Sequence, residues 1–164
     1  MELWDILDEN GKPTGRLVER GKPMQQDEYH LVVHVWLTNP RGKFLITKRA
    51  DAKPFAGMWE TTGGSAIAGE TSLQAALRET KEELGIDLNA ANCKLFTREK
   101  RQTDFPNFVD AWLCTVDDEL PELNPDPLEV SQIRWAEREE IKNMINHGTF
   151  LNVFPYLDKL FVSV

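Results

Sequence analysis

Apolar and polar residues alternate, or form short apolar blocks, along most of this chain. Blocks of this length bounded by turn residues predict β-strands. The predicted strands cover residues 2–8, 14–20, 30–38, 43–49, 58–62, 93–101, 107–116 and 132–136. The first two flank Asn10-Gly11, the strongest short signal for a hairpin turn, so they are expected to form an N-terminal β-hairpin. A second hairpin is expected around residues 39–42, followed by a polar loop over residues 51–57.

One segment between the strands has helical periodicity instead. Thr71 followed by Gln74 has the form of a capping box, which predicts a helix that starts near residue 72. Gly85 is expected to end this helix, because glycine readily adopts the left-handed conformation found after helices. Apolar side chains are expected to form one packing stripe along it. The stripe consists of Leu73, Leu77, Thr80 and Leu84.

The last third of the chain predicts a loop and two further helices. Residues 117–129 are acidic and rich in proline, which predicts a loop. Residues 137–146 predict a helix stopped by His147-Gly148, and a final short helix is expected after Pro155. Strands on both sides of a central helix, with helices at the end, favour a mixed sheet covered on both faces. The length favours one domain over residues 1–164.

The central helix also carries three glutamates on a second arc. Glu79, Glu82 and Glu83 are three and four positions apart, so their side chains are neighbours. Carboxylates this close repel one another, whereas a hard divalent cation would bind them. Mg²⁺ prefers oxygen ligands and is commonly held by one or two carboxylates together with substrate phosphates. The alternative is a solvated acidic helix face, which is the usual meaning of a charge run.

The spacing of the residues around these glutamates resembles a known signature. The pattern contains, in order, Gly64, Glu70, Arg78, Glu79, Glu82, Glu83, Gly85 and Ile86. It resembles the Nudix box of Nudix hydrolases, and this resemblance implies a Nudix-like α/β/α sandwich. Thr80 departs from the pattern, because the family prefers an aliphatic residue there. We interpret Thr80 as a tolerated packing change, since its hydroxyl can bond back to the carbonyl of Ala76.

The resemblance implies a metal-dependent reaction and assigns its ligands. In Nudix hydrolases the box glutamates bind divalent metal, so Glu79, Glu82 and Glu83 are the expected metal-binding and catalytic residues. Glu79 is expected as a ligand or as the general base, and the carbonyl of Gly63 as a further ligand. The cofactor is expected to be Mg²⁺ or Mn²⁺. The implied reaction is the attack of water on the diphosphate linkage of a small nucleoside-diphosphate-type metabolite.

Supporting and substrate-binding roles are expected elsewhere. Arg78 and Glu70 match the pair that locks the loop onto the helix. Arg49 and Lys53 are candidate phosphate ligands. Trp59 is a candidate for stacking on a base, although aromatic residues at strand spacing are more often part of the core. A further acid from outside the box is often recruited in this family; the candidates are Glu99, Asp104, Asp110 and Glu129, each of which is more commonly an ordinary surface acid.

A second, broader resemblance is to isopentenyl-diphosphate isomerases. It is carried by His30-x-x-x-His34-Val35-Trp36, Lys48-Arg49 and Pro54-x-x-Gly57-Met58-Trp59. The isomerases need a cysteine after the tryptophan strand, where this chain has residues 61–65 without one, so hydrolysis is favoured. Isomerisation and non-catalytic metabolite binding remain the alternatives. His30 and His34 lie about 13 Å apart on a strand, too far to bind one ion together, and are either ligands or hydrogen-bonded core residues.

Composition and net charge limit the kinds of binding partner to expect. No apolar stretch is long enough to span a membrane, and a net charge of −8 argues against binding a nucleic-acid polymer. Cys93 and Cys114 form no short disulfide framework and fit a reducing cytoplasm. The expected partner is a small diphosphate metabolite, and the resemblance to Nudix proteins, which often pair, makes a homodimer possible.

Overall fold

The computed structural model describes residues 1–117, 120 and 123–164. The strands are β1 Leu3–Leu7, β2 Pro13–Glu19, β3 His30–Thr38, β4 Phe44–Arg49, β5 Trp59–Glu60, β6 Thr62–Ser65, β7 Cys93–Arg101, β8 Asn107–Thr115 and β9 Val130–Ala136. The helices are α1 Ser72–Leu84, α2 Arg138–Asn146 and α3 Leu157–Val162, with a 3₁₀ turn at Ala90–Asn92. Both predicted longer helices and the final short helix are therefore confirmed, with ends that differ by a residue or two.

Within the described residues, seven strands form one mixed sheet and β1 and β2 form a separate antiparallel hairpin. The main path of the sheet is β5-β4-β3-β8-β7, with β6 paired to β3 and β9 paired to β4. The pair β3–β8 is parallel, while the other pairs are antiparallel. The predicted mixed sheet and N-terminal hairpin are confirmed.

Strand β3 separates two cores. Successive side chains of a strand point to opposite faces, so Val33 and Val35 pack against α1 with the buried alanines of that helix. Trp36 lies on the other face, in an aromatic core with residues of α2 and α3. Helices thus cover both faces of the sheet, as in the expected α/β/α sandwich.

The prediction of one continuous strand over residues 58–62 is wrong. The chain forms two short strands there, and they pair with different neighbours. In β5, Glu60 pairs with Thr47 of β4, whereas Gly63 and Gly64 in β6 pair with β3. Because the chain changes partner at Thr61, it passes from one edge of the sheet to the strand that faces α1.

The two cysteines are bonded to each other. The antiparallel pairing of β7 and β8 places Cys93 directly opposite Cys114, with their Cα atoms 4.1 Å apart. This corrects the expectation that they lack a disulfide partner. Their separation of 21 residues gave no hint of the bond, because the pairing comes from strand register.

Two further expectations concern the surface. The loop predicted over residues 117–129 includes residues 118, 119, 121 and 122, which lie outside the described residues, while 127–129 form a turn. Across the part of the chain that the structure describes, no helix has both the length and the apolar character needed to cross a membrane.

Candidate functional site

Helix α1 begins and ends as its sequence predicts. The backbone N–H of Gln74 donates to the hydroxyl of Thr71 at 3.2 Å, and the backbone N–H of Thr71 donates to the Gln74 side chain at 2.8 Å. This reciprocal capping box satisfies two donors that a helix start leaves free. Gly85 has φ 74°, the left-handed conformation of a helix C-terminus. The two ends therefore fix which residues α1 contains.

The buried face of α1 differs from the predicted stripe. The fully buried residues are Ala75, Ala76, Thr80 and Leu84. Leu73 and Leu77, which also belong to the predicted stripe, are only half-buried. The expected hydroxyl bond is present, because Thr80 donates to the carbonyl of Ala76 at 2.8 Å. The alanines at the contact allow the helix to lie close to the sheet.

The three box glutamates occupy three different environments. Glu83 is 8% exposed and accepts a hydrogen bond from the hydroxyl of Thr62. The side chain of Glu79 is 14% exposed, and that of Glu82 is 59% exposed. The three carboxylates therefore differ in burial, because Glu83 points towards β6.

Burial changes the protonation of the inner acids. Burial raises the pKa of Glu83 to about 8, against the effect of the Thr62 hydroxyl and with the help of the nearby charges of Glu60 and Glu79. Burial also raises the pKa of Glu79, although Arg78 opposes the shift. The same cause raises the pKa of Glu60, which Arg49 opposes. Glu60 thus belongs electrostatically to this cluster, and its sequence context gave no signal of that.

Arg78 ties the loop, β6 and the helix together. Its Nε and Nη2 atoms donate to the two oxygens of Glu70 at 2.6 and 3.0 Å, and Nη2 also donates to the carbonyl of Ser65 at 3.0 Å. Its Nη1 atom donates to Glu79 at 2.9 Å and to Glu82 at 3.0 Å. Although burial of Glu70 acts the other way, hydrogen bonds from Arg78 and the Ile67 N–H lower the pKa of Glu70.

The glutamates open into a cleft that six separate stretches of the sequence form. Its lining residues are Glu2, Arg20, Lys53, Gly63, Gly64, Ser65, Arg78, Glu79, Glu82, Glu83, Asp126 and Glu129. Lys53 forms an ion pair with Glu129 across it. The backbone N–H groups of Asn124 and Asp126 donate to the carbonyls of Leu84 and Glu83. This docking onto the free carbonyls at the end of α1 brings Asp126 and Glu129 to the cleft.

Some predicted residues reach the cleft and others do not. Of the four acids proposed from outside the box, Glu129 lines it. Asp110 is fully buried elsewhere in a bidentate pair with Arg98, at 2.6 and 2.8 Å. Glu99 and Asp104, on β7 and in the following turn, are not lining residues either. The sequence did not single out Glu2, Arg20 or Asp126, because tertiary docking brings them in.

The two other substrate-binding candidates, Arg49 and Trp59, are engaged by groups outside the cleft. Nη1 of Arg49 donates to both oxygens of Glu60, at 2.7 and 2.9 Å, and its Nε donates to the carbonyl of Pro54 at 2.6 Å. Trp59 packs against the aromatic core, with the guanidinium carbon of Arg134 4.9 Å from a ring centroid. Neither side chain is a lining residue of the cleft.

Both histidines of β3 are engaged by other groups. His30 stacks on Trp4 with ring centroids 4.0 Å apart, and its Nδ1 lies 3.1 Å from the carbonyl of Pro106. His34 is buried, with its Nδ1 2.8 Å from the hydroxyl of Tyr156. Burial lowers the pKa to about 4 for His30 and to about 3 for His34. The structure thus agrees with the hydrogen-bonded alternative for both.

The donor set fits a hard divalent cation. Every candidate ligand is an oxygen, and the buried Glu83 has a hydroxyl as its hydrogen-bond partner, so a negative charge on its carboxylate would be poorly compensated without a cation. A Cβ added at Gly64 would collide with the Glu79 carboxylate, so β6 leaves room for that group only because residue 64 is glycine. Over residues 1–117, 120 and 123–164, no three His, Cys, Asp or Glu side chains already converge as a metal cage. The residues therefore fit a divalent cation through the chemistry of their oxygen donors, and not through a preformed cage.

Comparisons with known proteins identify one matching domain family and relatives that align over most of this chain. The model of the NUDIX domain matches residues 28–154. An uncharacterized Nudix hydrolase of Listeria innocua is 40% identical over 164 residues, covering 98% of this chain and 94% of the relative. An isopentenyl-diphosphate Delta-isomerase of Cutibacterium acnes is 31% identical over 150 residues, covering 85% of this chain and 75% of the relative.

A solved structure extends the likeness to the whole fold. The crystal structure of DR0079 from Deinococcus radiodurans superposes with a TM-score of 0.78 and covers 99% of this chain and 98% of its own. Its sequence is 23% identical, so the likeness concerns the architecture alone. The N-terminal hairpin lies within the span that is covered.

Proposed function

Because this chain belongs to the NUDIX domain family, we propose that it is a Mg²⁺- or Mn²⁺-dependent hydrolase of a small nucleoside-diphosphate-type metabolite. It would cleave the diphosphate linkage. The observation that carries the proposal is the cleft at which Glu79, Glu82 and the buried Glu83 meet cationic side chains of other segments.

Glu82 and Glu83 are the proposed principal metal ligands, with the carbonyl of Gly63 as a further donor. A divalent cation held there would neutralise phosphate charge and activate the attacking water. The raised pKa of Glu83 means that cation binding competes with a proton on its carboxylate. Arg78 would position Glu79 and Glu82, and Glu70 would position Arg78.

Glu79 is the proposed general base. A general base needs a pKa near the working pH and a fixed orientation towards the attacking water. Burial raises the pKa of Glu79, and the 2.9 Å bond from Arg78 fixes one of its oxygens. Glu129 is the alternative base, since it is the one outside acid of the four candidates that lines the cleft.

Lys53 is the better placed of the two proposed phosphate ligands. Its ammonium group lies in the cleft lining beside Glu129. Arg49 is instead occupied by Glu60 and Pro54, so its contribution would be to orient Glu60. Stacking of a base on Trp59 stays a prediction.

The second candidate function is isomerisation of isopentenyl diphosphate, which the 31% identity to an isomerase favours. The residues of the site oppose it. Thr61 and Thr62 occupy the segment where the isomerases carry their cysteine, and the hydroxyl of Thr62 is committed to Glu83. Cys93 and Cys114 are bonded to each other. Incubation with isopentenyl diphosphate, followed by NMR detection of its allylic isomer, separates the two functions.

The decisive test is a release assay over a panel of diphosphate metabolites with Mg²⁺. Glu82→Gln and Glu83→Gln should each reduce turnover by at least about a hundredfold, because each removes a proposed ligand. Glu139→Gln is the matched control, since its carboxylate is exposed on α2. If both cleft variants turned over substrate at the wild-type rate, then the proposed function would be refuted. Tight metabolite binding without any turnover would instead favour a non-catalytic binding protein.

We also propose that residues 1–164 act as one domain with no membrane or nucleic-acid polymer as a partner. The proposed location is the cytoplasm, although the Cys93–Cys114 bond is unusual in a reducing compartment. Contacts of the hairpin with the rest of the chain support the single domain. The N–H of Ala68 donates to the carbonyl of Leu3 at 2.8 Å, and that of Gly69 to Asp5 at 2.7 Å. The proposal of a homodimer rests on the family resemblance alone, and analytical ultracentrifugation would test it.

A further inference from the structure

The N-terminal hairpin contributes two charged side chains to the cleft. Glu2 precedes β1 and Arg20 follows β2, and both line the cleft with the box glutamates. The NUDIX domain match begins at residue 28, so this contribution comes from outside the matched segment. We propose that Arg20 is a further substrate-binding residue that binds a phosphate oxygen of the substrate. This inference rests on the proposed function.

Arg20 is the most available of the cations that line the cleft. Arg78 is committed to Glu70, Glu79 and Glu82, and Lys53 is paired with Glu129. Arg20 has one ion pair in the described part of the chain, from Nη1 to an oxygen of Glu2 at 3.0 Å, and its side chain is 63% exposed. An exposed pair of this kind is worth little, so a phosphate can displace Glu2 at small cost.

The charge of the cleft calls for such a cation. The acids in its lining are Glu2, Glu79, Glu82, Glu83, Asp126 and Glu129, against the cations Arg20, Lys53 and Arg78. A divalent cation bound at the box glutamates would offset the charge of a substituted diphosphate, but not the excess of acids over cations in the lining. The guanidinium group presents paired donors that match two phosphate oxygens. Arg20 can therefore hold the part of the diphosphate that lies towards the hairpin.

A purely structural role for Arg20 is the competing explanation. Other contacts already place the hairpin, because Trp4 stacks on His30 and Gly69 donates to Asp5. Glu2 is held without Arg20 as well, since the indole N–H of Trp4 donates to its Oε1 at 2.9 Å. The two roles predict opposite effects of changing Glu2, which makes them separable.

The first test is kinetic, on a panel substrate that the wild type hydrolyses. Arg20→Met should raise KM about tenfold, as expected for the loss of one charge-assisted hydrogen bond, with a smaller effect on kcat. Arg20→Lys should recover part of the loss. Glu2→Gln should lower KM, because it frees the guanidinium. If Arg20 only held Glu2, then Glu2→Gln would instead raise KM as Arg20→Met does.

Arg16→Met is the matched control. Arg16 lies on the same hairpin, pairs with Glu28 and is not a lining residue of the cleft, so its loss should leave KM within about twofold of the wild type. An equal rise in KM for Arg16→Met and Arg20→Met would mean a general charge effect and would overturn the inference. So would a KM for Arg20→Met within twofold of the wild type.

A second measurement is independent of turnover. Calorimetry with methylenediphosphonate and Mg²⁺ should show binding to the wild type and to Arg16→Met, and at least fivefold weaker binding to Arg20→Met. If no panel compound is hydrolysed but this pattern holds, then the proposed function fails and the assignment of Arg20 stands. If the wild type turns over substrate but Arg20→Met binds the probe normally, then the assignment alone fails. Absence of binding to the wild type also overturns it.

Discussion

Individual residues of the cleft differ more in their surroundings than in their chemistry. Three glutamates on one helix were predictable as a cluster, because their spacing is visible in the sequence. Which of them is buried was not, since that depends on the close approach of α1 to β6. Glu83 became the inner acid because Thr62 faces it, and Glu60 joined the cluster because β5 pairs with β4. The sequence predicts the type of donor, and packing decides its pKa.

Alanine substitutions at the two glycines of β6 should have different effects on turnover and stability. A Cβ at Gly64 would meet the end of the flexible Glu79 side chain, whereas one at Gly63 would meet the backbone carbonyl of Val33. Gly64→Ala should therefore displace Glu79 and cut turnover more than tenfold, at a stability cost below about 1 kcal/mol. Gly63→Ala should destabilise the fold by about 1–3 kcal/mol or more. Urea unfolding and the release assay measure both effects.

Ser65→Ala provides the control for both glycine variants. Its carbonyl, which accepts from Arg78, is backbone and survives the change. Near-normal stability and turnover are expected. If Gly64→Ala kept full turnover, then the position of the Glu79 carboxylate against β6 would not matter for the reaction.

At the scale of elements, the local signals were the most reliable. The capping box of α1 and its glycine stop are both present, because caps depend on a few neighbouring residues. The division of residues 58–62 into β5 and β6 was missed, since each strand is defined by a distant partner. The disulfide was missed for the same reason, as only the register of β7 and β8 brings the cysteines together.

Loss of the capping box should weaken α1 by a predictable amount. Thr71→Ala removes the hydroxyl that accepts from Gln74 and should lower the free energy of unfolding by about 1 kcal/mol. Thr71→Ser keeps an equivalent acceptor and should stay close to the wild type. Urea denaturation of the three proteins measures the difference. Equal stability of the alanine and serine variants would show that the cap contributes nothing.

The disulfide joins neighbouring strands and should add stability to the sheet. A closed loop with 21 residues of sequence separation gives about 3 kcal/mol through restriction of the unfolded chain. Reduction with dithiothreitol should lower the melting temperature of the wild type. A Cys93→Ser variant should melt at the same temperature with and without the reductant. An unshifted wild-type melting temperature, with reduction verified by mass spectrometry, would contradict the prediction.

The whole molecule combines a predictable architecture with a site whose completion was not predictable. The order of strands and helices predicted a mixed sheet covered on both faces, and the resemblance to Nudix hydrolases implied the α/β/α sandwich. The cleft, however, draws on the hairpin, on the loop with Lys53 and on the segment with Asp126 and Glu129, which are far apart in the sequence. No local pattern marks such residues, because their only common feature is the place to which the fold brings them.

Stability of the whole chain should depend on pH through its buried titrating groups. Burial lowers the pKa of His30 from 6.5 to about 4, so its contribution to stability is fully present above about pH 6.5 and is lost as the pH falls towards 4. The slope is at most about 1.4 kcal/mol per pH unit for one such group. His34, with a pKa of about 3, acts in the same direction. The raised pKa of Glu83 acts in the opposite direction, because its contribution is present below about pH 4.5 and is lost as the pH rises towards 8.

Comparison with a variant isolates the histidine contribution from the glutamate contribution. The difference in unfolding free energy between the wild type and His30→Gln, measured in urea with EDTA at each pH, cancels the effect of Glu83. This difference should shift against the wild type as the pH falls from 7 to 5, by up to about 2 kcal/mol. Glutamine can still donate to the carbonyl of Pro106, so the loss of that bond does not confuse the result. A difference that stays constant over this range would mean that His30 becomes protonated in the folded protein as readily as in the unfolded chain.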